Sequence, residues 1–241
     1  MPGVRPIDVR STEVRPQQLR KDAARNRQQI VETARRAFAT DGLDVAMDAI
    51  AKDAGVGAAT LYRRFPCRGD LVEACMADRM EAYLVAAQTA LADPDPWEGF
   101  VSYLTAACAM QAADRGVNDL LTRSFPSSRR LEGPRRRAYQ AVREIMARAQ
   151  AQGQLRGDVS VDDIPLLLIA NAGIVQATFG VAPDAWRRVL GITIDGLRTD
   201  GQTLLSPAPP RRQLLRALVR ATRRSRRSPN NDGAVHARHS Q

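Results

Sequence analysis

Apolar residues recur along the chain at intervals of three and four, the period of helices with one buried face. From about Lys21, Ile30, Ala34, Ala37 and Phe38 fall on one stripe. That run stops at Asp41-Gly42, where glycine suits a left-handed cap. MDAIAKDAG, at 47–55, puts Met47, Ile50, Ala51 and Ala54 on one face and ends at Gly55; a third run, Ala58 to Phe65, is closed by Pro66. Beyond Arg68 the segments lengthen, with helical patterns over about 70–92, 96–114, 117–124, 134–153, 161–179 and 184–199. Breakers such as ADPDP, DRG, FPSS, LEGP, QGQLRGD and GVAP separate them by short connections. With no sustained Val/Thr/Tyr alternation, the pattern predicts an all-α bundle rather than a parallel α/β sheet.

Charge divides the chain differently. Of the formal +10, residues 1–70 carry +4, residues 71–204 carry −2 and residues 205–241 carry +8. Positive charge at both ends and none in the body fits a terminal module that meets a polyanion. Residues 1–19, with Pro2, Pro6 and Pro16 and no apolar period, read as a disordered arm. Residues 205–241 read as a flexible basic tail with a short amphipathic stretch around Leu214, Leu215, Leu218 and Val219. Cys67, Cys75 and Cys108, odd in number and without CxxC spacing, read as reduced thiols of a cytoplasmic protein. Ile164–Pro183 is uncharged and nearly long enough to span a bilayer, but Asp162, Asp163 and Asp184 bracket it and Pro165, Asn171 and Gln176 interrupt it. A buried helix at the heart of the body is expected there, and no membrane.

The candidate chemistry concentrates in AGVGAATLYRRFP, residues 54–66. Its Gly-x-Gly opens either a phosphate-cradling loop or the turn of a DNA-reading unit. A dinucleotide or Walker loop needs a preceding strand and a Lys or further Gly set to meet phosphates; here a short helix precedes, and neither GK[ST] nor a third glycine follows. Two eight-residue helices joined by a three-residue glycine-bearing turn match the plan of a helix-turn-helix. In the second helix Leu61 and Phe65 face inward toward Ile50, Ala54 and Val56, while Ala59 and Arg63 point outward between Thr60 and Tyr62. A helix of about 12 Å can enter a major groove of about that width end-first. Gly57, Ala58 and Ala59 keep its start small, and Tyr62, Arg63, Arg64 and Arg68 supply donors for phosphates and guanine edges. Lys21 and Arg25, near the start of the first helix with Arg20 and Arg27, can reach flanking backbone or minor groove.

Residues 20–75, and above all AIAKDAGVGAATLYRRF, resemble the N-terminal DNA-binding domain of the TetR family of bacterial transcription regulators. The resemblance implies three N-terminal helices, the second and third forming the helix-turn-helix, and a larger helical C-terminal domain that binds a small effector and makes a homodimer. Carried over by position, it assigns the groove-facing set Gly57, Ala58, Ala59, Thr60, Tyr62, Arg64 and Arg68; the helix wheel adds Arg63. Two positions depart from the family pattern. Ala46 stands where a capping Thr or Ser is usual, leaving Asp44 as substitute. Cys67 replaces a polar cap three residues before Asp70, a weakened capping box. A thiol at that helix start beside Arg68 also has an oxidant-sensing reading.

The organisation expected is therefore an arm (1–19), a helix-turn-helix domain (20–68), a helical effector-binding and dimerisation domain (69–204) and a basic tail (205–241). Both histidines, His236 and His239, lie in the tail, so the body lacks a His-based catalytic or zinc centre; no enzyme, cofactor or metal is expected. Candidate effector-lining residues are Phe100, Tyr103, Phe125, Tyr139, Asn171 and Gln176, although most aromatics at helical spacing are core. Asn171 and Gln176, polar within an apolar run, each need a partner. The resemblance implies that the last two helices pack against their copies as the dimer interface, and the stripe of Trp186, Val189, Leu190, Thr193 and Leu197 is consistent with it. The function implied is a homodimeric repressor, released from a palindromic double-stranded operator by a small effector. The competing reading is a sequence-tolerant nucleic-acid-binding or architectural protein that grips phosphates through the basic tail.

Overall fold

The computed structural model describes residues 16–123, 125, 128–199 and seven isolated positions between 203 and 216. Among these the chain is helical, with one isolated bridge, Leu155 to Arg198, in place of any strand. The helices are α1 (Pro16–Asp41), α2 (Met47–Asp53), α3 (Ala58–Arg64), α4 (Arg68–Leu91), α5 (Pro96–Ala113), α6 (Arg115–Thr122), α7 (Arg129–Ala151), α8 (Ile164–Thr178) and α9 (Ala185–Gly196). A 3-10 turn, Val161–Asp163, leads into α8. α1 begins at Pro16, so residues 16–19 are helical where an arm was expected. The expectations for the rest of the arm and for the tail lie largely outside the described residues.

Local chemistry explains the boundaries. Asp95 accepts from the Trp97 and Glu98 amides at 2.9 and 3.3 Å ahead of Pro96, and Asp114 accepts from Val117 at 3.1 Å. α7 starts five residues earlier than the LEGP breaker predicts and runs through Pro134. That proline is the sixth helical residue, so α7 forgoes the amide bond to the Arg130 carbonyl there, and Ser128 caps the start by accepting from Leu131 at 3.3 Å.

α1, α2 and α3 enclose a small core of Ile30, Phe38, Ile50, Leu61 and Phe65, continuous with that of the body. In the body, α4 and α7 run parallel: Ser128 bonds Glu73, Arg137 lies 3.6 Å from Glu81, and Arg148 donates to the Leu91 carbonyl at 2.8 Å. α5 packs against both, α6 lies against α1, and α8 and α9 close one side.

α8 is not buried all round. Ile164, Leu168, Asn171, Ala172 and Val175 face inward, whereas Leu166 and Ile169 are open. Val161–Thr178 is long and apolar enough to cross a membrane by length and composition alone. The α9 stripe also splits: Trp186, Leu190 and Leu197 are buried while Val189 is open, as is Ile192, which lies outside the stripe. Helical periodicity gives the width of an apolar stripe, but which part of it meets the chain's own core is set by neighbouring helices.

Candidate nucleic-acid interface

α2 and α3, seven residues each, join through Ala54–Gly57. The Gly55 amide donates to the Lys52 carbonyl at 3.0 Å and the Val56 amide to the Ala51 carbonyl at 3.0 Å, satisfying the last turn of α2 in a Schellman arrangement. Gly55 adopts φ +65°, which a side chain disfavours. Gly57 differs: its φ is −67°, and a Cβ there would meet nothing within 4 Å. The fold itself does not require glycine at 57, and its bare backbone leaves the start of α3 open to a partner.

Leu61 and Phe65, at 0% and 2% exposure, pin α3 to the core as predicted. Gly57, Ala58, Ala59, Tyr62, Arg63 and Arg64 are exposed and Thr60 is half-buried, so seven of the groove-facing candidates are accessible on α3 and the residue before it. Arg25 is exposed on α1; Lys21 lies on the same helix, its side chain outside the described residues. Arg27, beyond the assigned set, lies 5.3 Å from the Phe65 ring centroid, a cation–π contact that braces the end of α3.

Arg68 is placed otherwise. Its Nη1 donates to the Leu43 carbonyl at 2.8 Å and also to Val45, tying the start of α4 to the loop between α1 and α2. It therefore holds the helix-turn-helix against the body instead of joining the exposed face. Ala46 provides no side-chain cap to α2, and the expected substitute, Asp44, accepts from Arg123 through both carboxylate oxygens at 3.0 and 2.8 Å. The Cys67–Asp70 box forms, the Asp70 carboxylate accepting from the Cys67 amide at 3.1 Å and from its Sγ at 3.2 Å. With Arg68 directed at carbonyls and the other two cysteines buried, the surroundings expected of an oxidant sensor are not assembled at Cys67. Burial pushes the Cys75 and Cys108 thiols up to about 12, which keeps both in the unreactive thiol form.

A polar junction links the reading unit to the body. Asp119 on α6 accepts from the Leu43 amide at 2.7 Å, and Gly42, at φ +82°, lets the chain turn so close that a Cβ would lie 2.7 Å from Asp119 Oδ2. Arg123 bridges Asp119 and Asp44; burial opposes its charge, yet the two carboxylates hold its pKa raised. Burial also raises the Asp119 carboxyl against the opposing pull of Arg123. The sequence reading missed this junction, although Asp119 and Arg123 at i,i+4 spacing are its one local trace.

The six effector candidates are not brought together. Phe100 and Tyr103 are core residues, and the Tyr103 hydroxyl pairs with that of Tyr83. Tyr139 donates to Asp162 at 3.1 Å, and Phe125 borders a small cleft beside Arg68. Asn171 finds its partner within the chain: its Nδ2 donates to Gln111 Oε1 at 2.8 Å, and Gln111 donates to the Leu168 carbonyl at 3.1 Å. Asn171 also lines a 40 Å³ apolar cleft between α5, α8 and α9, while Gln176 lines a separate polar cavity near α1. Among the described residues no three of His, Cys, Asp or Glu are grouped to hold a metal ion.

Comparison with known proteins accords with this geometry. Residues 30–75 match the model of bacterial regulatory proteins of the tetR family, and residues 95–199 match the C-terminal domain of SbtR-like transcriptional regulators. A TetR transcription regulatory protein from Mycobacterium vanbaalenii is 36% identical over 75% of this chain and 99% of its own, with a TM-score of 0.43. FadR from Bacillus subtilis, solved in complex with stearoyl-CoA, shares the fold at 15% identity and a TM-score of 0.55, over 73% of this chain and 100% of its own. An HTH-type transcriptional regulator of Staphylococcus aureus is 46% identical over 54 residues, which span 22% of this chain and only 29% of that protein. The chain belongs to the TetR family of transcriptional regulators.

Proposed function

We propose that the protein is a cytoplasmic repressor without catalytic activity, whose homodimer reads a palindromic operator and releases it when a small effector binds the body. One observation carries the reading: α3 is anchored by Leu61 and Phe65 while Tyr62, Arg63 and Arg64 stand exposed beside the small residues Gly57–Ala59. That face offers close backbone approach together with donors for phosphates and base edges.

The open side of α8 and α9 supports the dimer. Leu166, Ile169, Val189 and Ile192 are exposed on α8 and α9, Val189 also lines the apolar cleft between them, and Phe179, 58% exposed, and Val181, 90% exposed, follow α8 in the chain. Four helices, two from each copy, would cover this surface across a two-fold axis and place two α3 helices one groove apart. A second copy explains the patch better than a bilayer does, because Asp162, Asp163 and Asp184 flank the segment.

The test is footprinting on genomic fragments, followed by gel shifts with Tyr62→Ala and Arg64→Ala. Loss of one short palindromic site with dimerisation intact supports the assignment; loss of dimerisation in these variants, or unchanged binding, contradicts it. The +8 of residues 205–241 favours the second reading. A chain truncated after Leu204 that loses all DNA binding would make the tail the principal contact.

A further inference from the structure

A cleft of about 40 Å³ opens between α5, α8 and α9. Leu104, Leu167, Ile174 and Leu190 wall it, and Ala170 and Val189, both exposed, stand at its mouth. Among the described residues none that lines it is charged. Burial keeps the Cys108 thiol protonated, and the Thr193 hydroxyl is spent on the Val189 carbonyl at 2.8 Å. One polar group in the wall is left over. Gln111 Nε2 donates to the Leu168 carbonyl at 3.1 Å, so Gln111 Oε1 is the atom that accepts from Asn171 Nδ2 at 2.8 Å, and this chain fixes the Asn171 amide with its oxygen unused. Asn171 is only 6% exposed, yet its Oδ1 is not sealed: it keeps a surface open to solvent and takes no hydrogen bond from the described residues. An acceptor recessed in an apolar cleft is poorly hydrated and calls for a donor.

We infer that this cleft binds a small neutral alcohol, whose hydroxyl donates to Asn171 Oδ1 and whose short carbon chain lies along Leu104, Leu167 and Leu190. The volume, about three water-sized spaces, suits a chain of a few carbons. An ion of either sign would shed its hydration with no opposite charge to meet it. In the proposed dimer a second copy roofs the mouth, and the apolar side chains it brings, Leu166, Ile169, Val189 and Ile192, hold no donor for Oδ1. The next turn of α8, at Val175 and Gln176, shares a cavity wall with Asp41 and Gly42, where α1 ends and the segment leading to α2 begins. An occupant that displaces α8 is therefore felt where the reading unit joins the body. This effector role rests on the DNA-reading function proposed above; alcohol binding itself does not.

The probe is 1-butanol, titrated into the full chain without DNA and followed by saturation-transfer NMR. Saturable binding with Kd of about 1 mM is expected, within the reach of so few atoms. Methyl propyl ether, its isomer without a donor, should bind at least about fivefold more weakly, and butylammonium, a charged donor, should not bind. Gln111→Met/Asn171→Leu removes both amides together and leaves neither orphaned, so it should unfold near the unaltered protein's midpoint while binding alcohol and ether alike. Ala170→Leu, exposed at the mouth, should block both. Five outcomes overturn the site: no saturation up to about 10 mM; equal binding of alcohol and ether; a preference for the alcohol that survives in the double variant; undiminished binding by Ala170→Leu; or binding that appears only in the Ile192→Asp monomer, which would mean that a second copy fills the cleft. With the operator in hand, saturating 1-butanol should change its affinity at least about threefold, a coupling within the ordinary allosteric range. Binding without such a change overturns the effector role alone, and failure to find any operator counts against the DNA-reading role but not against the alcohol site.

Discussion

Replacing Gly42 with alanine tests the junction most directly. Gly42 sits at φ +82°, and an added Cβ would lie 2.7 Å from Asp119 Oδ2, the atom that accepts from the Leu43 amide at 2.7 Å. The left-handed backbone alone costs an alanine about 1–2 kcal/mol. Asp119 must also withdraw, and a hydrogen bond to a charged, largely buried carboxylate contributes about 1.5–3 kcal/mol. Gly42→Ala should therefore destabilise the protein by about 3–4 kcal/mol, measured by urea unfolding at fixed protomer concentration. In the Gly42→Ala/Asp119→Ala pair the clash is gone, so the double variant should be less destabilised than the sum of the two single ones. A loss under about 1 kcal/mol, or strict additivity, would refute a close approach between Gly42 and Asp119.

Leu61→Ala should cost about 2–5 kcal/mol by opening a cavity beneath α3, read as a lower urea midpoint. Arg64→Ala should lower the salt dependence of operator binding by about one phosphate equivalent, seen as a shallower slope of log affinity against log salt. Ile169→Asp and Ile192→Asp, on the open faces of α8 and α9, should yield folded monomers by sedimentation with helical circular dichroism preserved. The Asp119 carboxyl is raised above its ordinary 3.8 by burial, so the folded protein holds that proton more tightly than the unfolded chain does. Its contribution to stability is then largest below 3.8 and declines as pH rises through the raised value; Asp119→Asn should lack this component in urea midpoints taken across acid pH.

Periodicity alone located the nine helices found among the described residues to within a few residues at most ends, because each carries its apolar stripe and its breakers in local sequence. Where α7 was set too late, the reason was local as well: Pro134 reads as a breaker, but the helix runs through it with one backbone bond forgone. AGVGAATLYRRFP likewise fixed the helix-turn-helix, since the Gly55 turn and the Leu61/Phe65 anchor lie within thirteen residues of one another. Only tertiary structure decided the partners of residues far apart in the chain. Arg68 reads as one more basic residue until the carbonyls of Leu43 and Val45 are beside it. Asn171 needs a partner by composition, yet Gln111, sixty residues away, is identified only by packing. The same holds for Gly42 and Asp119, and for the halves of the α8 and α9 stripes that stay open. Helical period and turn chemistry act over a few residues, whereas a buried charge or amide is satisfied by whichever helix the fold brings against it.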